Sequence, residues 1–167
     1  VVVIAGNNRR KAEFVTRAVA AGMHVLADKP MAIDTAGCAS LQRAFAEARD
    51  RGVLLWDIMT ERHEITTMLQ KAFSRIPSVF GVLLPGSVRE PAVVKESVHH
   101  FSKQVSGAPV KRPAWFFDVA QQGEGLVDIT PHLVDLVQWE CFPGEILDFE
   151  KDIEILGARR WPTVIGP

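Results

Sequence analysis

The chain has 167 residues, 47% of them hydrophobic and 23% charged, with a formal net charge of −1. That composition describes one ordinary soluble domain or two partial ones, and no charge excess argues for nucleic acid or an anionic membrane as partner. Cys38 and Cys141 lie too far apart for a zinc spacing or a disulfide framework and read as small apolar fillers on helices, and no run is long enough to span a membrane.

Residues 1–5 are apolar in succession, the pattern of a parallel strand buried on both faces. Such a strand needs neighbours, yet it stands first, with no basic stretch ahead of it as a signal peptide would have. The chain is therefore expected to be a fragment, with preceding strands and any targeting signal upstream, and to be cytoplasmic. Asn8 is a good N-cap for a helix to about residue 21, with Phe14, Val15, Ala18 and Val19 as its apolar stripe and Gly22 at its end. Residues 25–27 form the next strand, closed by Ala27-Asp28-Lys29-Pro30. Pro30 has no N–H and biases Lys29 away from the helical region, so the strand stops there. Ligands of open α/β sheets bind beyond the carboxyl ends of the strands. A lysine at that lip is placed to reach a substrate as a cationic donor, and the plainer reading is a surface Lys–Asp pair.

Asp34 caps a second helix, whose inward face is read as Cys38, Leu41, Phe45 and Ala48. Gly52 terminates it, and residues 53–56 make a third buried strand. Strand–helix–strand–helix–strand with short connections implies right-handed parallel crossovers, so residues 1–58 read as half of a doubly wound sheet.

From Thr60 the character changes. A helix over 61–75 presents Ile65, Met68, Leu69 and Phe73, and residues 79–84 make a strand ended by Pro85-Gly86. Residues 93–101 make a half-exposed strand carrying His99 and His100, which are read as solvated. Residues 102–122 read as a long loop, functional or poorly ordered, in which Trp115-Phe116-Phe117 is an apolar patch needing cover. A helix over 125–139 and a strand over 146–156 complete the pattern. In that helix Asp128 and His132 are four apart and share a face, while Leu133, Leu136 and Val137 anchor another face to a sheet. Pro131 puts the regular start near Thr130. An aspartate beside a histidine gives a general acid/base poised near neutral pH, and taken alone the plainer reading is a capping acid with a structural histidine.

Taken together, Ala21-Gly22-Met23-His24-Val25-Leu26-Ala27-Asp28-Lys29-Pro30 and, about a hundred residues on, a D-x-x-x-H-x-x-D run from Asp128 to Asp135 resemble the Gfo/Idh/MocA oxidoreductases over nearly the whole chain. The resemblance implies an α/β fold: the C-terminal half of a Rossmann doubly wound parallel sheet (1–58), then part of an α+β domain with a mostly antiparallel sheet (59–167). Asp28 stands where the family usually has glutamate. Lys29 resembles the lysine that hydrogen-bonds the substrate hydroxyl near the nicotinamide, and Asp128 and His132 resemble the substrate-binding acid and the catalytic acid/base. The implied catalytic set is Lys29, Asp128 and His132, with no metal, and the implied cofactor side is Asn8, Asp28, Lys29 and Pro30. Asn8 resembles the asparagine of a Pro-Asn-x-x-His stretch in which Asn7 replaces the proline and Lys11 the histidine.

His24 matches a structural family residue. Arg62 lies where many members have an arginine after the domain crossover, and a surface ion pair is an equal reading. The family's glycine run becomes Gln122-Gly123-Glu124. The implied cofactor is NAD or NADP and the implied substrate a small polyol or sugar, with no nucleic-acid or membrane partner and a homo-oligomer at full length. The implied activity is hydride transfer between the nicotinamide and a secondary alcohol. No G-x-G-x-x-G occurs, so the chain alone is expected to bind a dinucleotide poorly. Two alternatives stay open: glycoside cleavage or elimination without net oxidation, and ligand sensing, as in a galactose-pathway repressor of this architecture.

Overall fold

The structure is a computed structural model and describes residues 1–97 and 103–162. β1 (Val2–Ile4), α1 (Lys11–Ala20), β2 (Val25–Ala27), α2 (Thr35–Arg51) and β3 (Leu55–Asp57) follow in sequence and build a parallel sheet in the order β1-β2-β3. The registers pair Val2 with Val25 and Val25 with Leu55. Because side chains alternate along a strand, Val25, Ala27 and Leu55 point to one face, where Val15, Ala18 and Val19 of α1 and Ala44 and Ala48 of α2 complete the core. The same registers align Val3, Leu26 and Trp56 on the other face, where Val3 and Trp56 are exposed. The expectation of strands buried on both faces is thus corrected: among the described residues the helices cover one face.

Three local expectations shift. Helix α1 begins after Asn8, with Arg10 at its N-cap and no side-chain cap bond. In α2 the inward residues are Leu41, Ala44 and Ala48, while Cys38 and Phe45 are exposed. Small side chains face α1 because the approach is close: a Cβ on Gly37 would sit 3.0 Å from Ala32 Cβ and 3.6 Å from Ala12 Cβ. Helix α2 is nevertheless capped as expected, with Asp34 Oδ1 accepting from Gly37 N at 2.7 Å and Gly52 at φ 67° closing the other end. The third strand begins two residues later than expected and ends one later.

The second part is mainly helical. A single 3-10 turn (Glu61–His63) leads into α3 (Ile65–Ser74) and α4 (Pro77–Phe80). The expected strand at 79–84 is absent, since Pro77 fits the first turn of a helix and starts one. Residues 93–97 are not a strand either, and the remainder of that expectation, with His99 and His100, lies outside the described residues. The expected loop at 102–122 contains a hairpin, β4 (Lys103–Val105) against β5 (Ala108–Val110). Its two-residue turn, Ser106 and Gly107, has positive φ at both positions (51° and 80°), the geometry that matches strand twist in tight hairpins. A 3-10 turn (Ala114–Phe117) follows, then α5 (Val119–Gln122), α6 (Gly125–Asp128) and α7 (Thr130–Cys141). Trp115, Phe116 and Phe117 stack edge-to-face on one another, and Arg112 lies 4.2 Å over the Phe116 ring, so the patch partly covers itself.

The apolar face of α3 exists as read, and Ile65, Met68, Leu69 and Phe73 on it are all exposed. Residues 146–156 form no strand, and among the described residues Leu133 and Val137 line a cavity of about 640 Å³ with Phe142, Leu147 and Ile153 instead of packing on a sheet. No described helix is long and apolar enough to cross a membrane.

Candidate active site

β2 ends at Ala27, and the chain bends through Asp28 to Lys29-Pro30, whose peptide bond is cis. Asp28 is spent on shaping this bend. Its N–H donates to Ile4 O at 2.9 Å, its Oδ1 accepts from Lys29 N at 2.9 Å, and its carbonyl accepts from Lys11 Nζ at 3.0 Å. Lys11 is 1% exposed, and burial pushes its ammonium below the ordinary lysine range, against the attraction of Asp28 and Asp128. A lysine inside a helix pattern gives little signal in sequence. What marks it is its place three residues after Asn8, in the histidine position of the resembled stretch.

Lys29 reaches across 99 residues of sequence. Its Nζ donates to the carbonyl of Asp128 at 2.6 Å and to Asp128 Oδ1 at 3.1 Å. Both side chains are largely out of water, at 20% and 12% exposure. Gln122 Nε2 stands 3.5 Å from the same carboxylate oxygen, and Gln122 Oε1 is buried with no partner among the described residues. Asn8, also buried, donates from Nδ2 to the Gln122 carbonyl at 3.0 Å, and Asn7 donates to Gln121 Oε1 at 3.1 Å. The Asn8 amide is thus part of the seam between the two halves of the chain. Gly123 follows at φ 92°, where a Cβ would meet Ile33 Cγ2 at 2.9 Å. The one glycine retained at that place is therefore where the backbone needs it.

Asp128 and His132 lie on successive helices. Asp128 ends α6, the backbone breaks at Ile129, and α7 starts at Thr130 with Pro131 in its first turn. His132 faces the 3-10 turn at Glu61: Nδ1 lies 2.8 Å from Glu61 Oε2, a contact not aligned as a hydrogen bond. The next residue of that turn, Arg62, grips α7 three residues further on. Its Nε donates to Asp135 Oδ2 at 2.7 Å and its Nη2 to Asp135 Oδ1, and this carboxylate holds the guanidinium above its ordinary range. Arg62 is therefore no loose surface pair, and the last aspartate of the D-x-x-x-H-x-x-D run acquires a role. Sequence reasoning missed Glu61, whose signal was its adjacency to Arg62. His24 is structural as expected: its Nδ1 accepts from Leu54 N at 2.8 Å. Among the described residues no group of three or more His, Cys, Asp or Glu is placed to hold a metal.

Comparison with known proteins places these features. Residues 1–56 match the family model described as "Oxidoreductase family, NAD-binding Rossmann fold", and residues 69–167 the model described as "Putative oxidoreductase C terminal domain". Among curated proteins none matches the chain. Among solved structures, a putative oxidoreductase from Parabacteroides merdae superposes with a TM-score of 0.89 at 55% identity, over 95% of this chain and 36% of its own. The chain thus spans about a third of that relative. KijD10, a 3-ketoreductase from Actinomadura kijaniata in complex with NADP and TDP-benzene, gives 0.54 at 21% identity over 84% of this chain and 38% of its own. The WlbA dehydrogenase from Thermus thermophilus, in complex with NAD and UDP-GlcNAcA, gives 0.52 at 16% identity over 82% and 38%. These last two share the fold.

Proposed function

The chain belongs to the Gfo/Idh/MocA oxidoreductases, a family with an NAD-binding Rossmann fold, and on that premise we propose that the full-length protein moves a hydride between NAD or NADP and a secondary alcohol of a sugar or cyclitol. In this reading residues 1–58 serve the cofactor and residues 59–167 the substrate. The observation that carries it is the contact of Lys29 with Asp128, which brings the strand-end lysine of one half onto the acidic motif of the other.

The residues present suit the nicotinamide end of a dinucleotide. Gly6, which follows β1, has open space where a side chain would stand, so a flat ring can approach its backbone. The unpartnered Gln122 Oε1 is an acceptor of the kind a carboxamide N–H₂ requires. A nicotinamide bound there would supply the hydride acceptor or donor for the carbinol carbon. His132 removes the hydroxyl proton as the carbon–oxygen double bond forms, and gives it back in the reverse direction. Lys29 donates to the same oxygen while charge develops there, an electrostatic contribution that is large where water is sparse. An ammonium has three N–H donors, and among the described residues two of those on Lys29 have partners, so one remains for substrate. Asp128 fixes the lysine in that attitude.

The test uses the full-length protein with NAD or NADP and a panel of sugars and cyclitols. Accumulation of NAD(P)H is expected with at least one alcohol. Lys29→Ala and His132→Ala should each lower turnover at least about a hundredfold with the fold retained. Near-normal turnover in both variants would remove the site assignment, and product without net NAD(P)H would move the protein to glycoside cleavage or elimination.

A further inference from the structure

Glu61 precedes the arginine that binds α7, and nothing in the family motifs assigns it a part. Its position is nevertheless specific. Glu61 Oε2 and His132 Nδ1 are both buried, neither atom has a hydrogen-bond partner among the described residues, and they lie 2.8 Å apart. Two lone pairs facing each other at that separation, away from water, would repel; a proton between them removes the conflict and satisfies both atoms. The Asp135 carboxylate, further along the same helix, is held by Arg62. The turn itself is held by the Arg62–Asp135 fork, so Glu61 is carried to His132 by a rigid neighbour. Imperfect alignment is common in unliganded sites, where such bonds tighten once substrate is bound.

We propose that Glu61 is the positioning residue of His132, keeping the proton on Nδ1 and so leaving Nε2 as the nitrogen that exchanges a proton with substrate. The proposal rests on the assignment of His132 as the acid/base. In the oxidative direction Nε2 offers its lone pair to the hydroxyl proton, and the imidazolium formed has both N–H groups, one toward the Glu61 carboxylate. In the reductive direction Nε2 returns that proton. A histidine with the wrong tautomer has its only lone pair against Glu61 and cannot act toward substrate, which is why removal of an orienting carboxylate is costly elsewhere in acid/base catalysis.

The experiment is nitrogen-detected NMR of the ¹⁵N-histidine-labelled chain, which distinguishes the two neutral tautomers and needs no substrate. The wild-type chain at a pH where His132 is neutral should show the Nδ1–H form, identified by loss of the signal in His132→Gln. Glu61→Gln, whose amide can donate to Nδ1, should convert His132 to the Nε2–H form, and Glu61→Asp should retain at least part of the Nδ1–H population. An Nε2–H tautomer in the wild-type chain overturns the proposal without any variant having to fold. So does an Nδ1–H tautomer that persists in folded Glu61→Gln. The tautomer is read independently of turnover, so a failure here leaves the His132→Ala activity test standing, and the reverse.

Discussion

The seam between the halves should be measurable as coupling between Lys29 and Asp128. Lys29→Met removes two charge-assisted bonds, one to the Asp128 carbonyl and one to its carboxylate, at 2.6 and 3.1 Å. Each such bond contributes about 1.5–3 kcal/mol when buried. Side-chain exposures of 20% and 12% argue for the lower end of that range, so the loss should be about 3 kcal/mol. Asp128→Asn leaves the carbonyl bond intact and keeps a neutral acceptor for the ammonium, so it should cost about 1–1.5 kcal/mol. The coupling energy of the double-mutant cycle should then be near 1 kcal/mol, above the few tenths typical of many exposed pairs. Urea unfolding of the four chains reads all three quantities. A coupling below about 0.3 kcal/mol, or a Lys29→Met loss no larger than that of Asp128→Asn, would refute the reasoning.

Lys11 gives a pH signature. Its folded-state pKa is lowered from 10.5 by burial, so between the two values the unfolded chain binds more protons and stability rises with pH. Lys11→Met should abolish that rise, read as a stability difference between the two chains that changes as the pH climbs toward 10.5; a difference constant with pH would contradict it. At Gly123 two penalties combine, a positive φ and a Cβ 2.9 Å from Ile33 Cγ2. Gly123→Ala should cost about 2 kcal/mol in urea unfolding, of which Ile33→Ala in the same chain relieves only the steric part; a loss below about 0.5 kcal/mol would show that neither penalty operates.

The Rossmann half was legible because its signals are local. Asp34 and Gly52 bracket α2 by capping chemistry, and Pro30 stops β2 whatever the rest of the chain does. What failed there was the choice between adjacent faces of α2: Cys38 and Phe45 fit the helical period as well as Ala44 does. The close packing of α1 on α2, which Gly37 permits, selected the small side chains, and no periodicity carries that information. The second half was less legible because, among the described residues, its apolar runs meet no strand whose contacts would decide between strand and helix. Residues 79–84 and 146–156 are apolar enough for strands, but a strand needs another strand to bond with, and the sequence pattern does not reveal one. In the site, Lys29 and the acidic motif were visible as residue types. Their pairing was not, because it joins residues 99 apart, and no local pattern reports a contact over that separation.

The groups assigned to the chemistry also fasten the halves together, so a slow variant does not by itself identify a catalytic group. Lys29→Arg separates the two roles. A guanidinium forms a planar fork that matches a carboxylate, so this substitution would keep the charge and the bond to Asp128, and stability should stay within about 1 kcal/mol of wild type. The fork, however, sends its donors into one plane. An ammonium distributes three donors tetrahedrally, which lets Lys29 bind the Asp128 carbonyl and carboxylate and still address a third acceptor. If that third donor meets the reacting oxygen, the full-length Lys29→Arg enzyme should lose at least about tenfold in kcat while its unfolding midpoint barely moves. Turnover retained with stability retained would mean that Lys29 serves the seam alone, and the oxygen would need another donor.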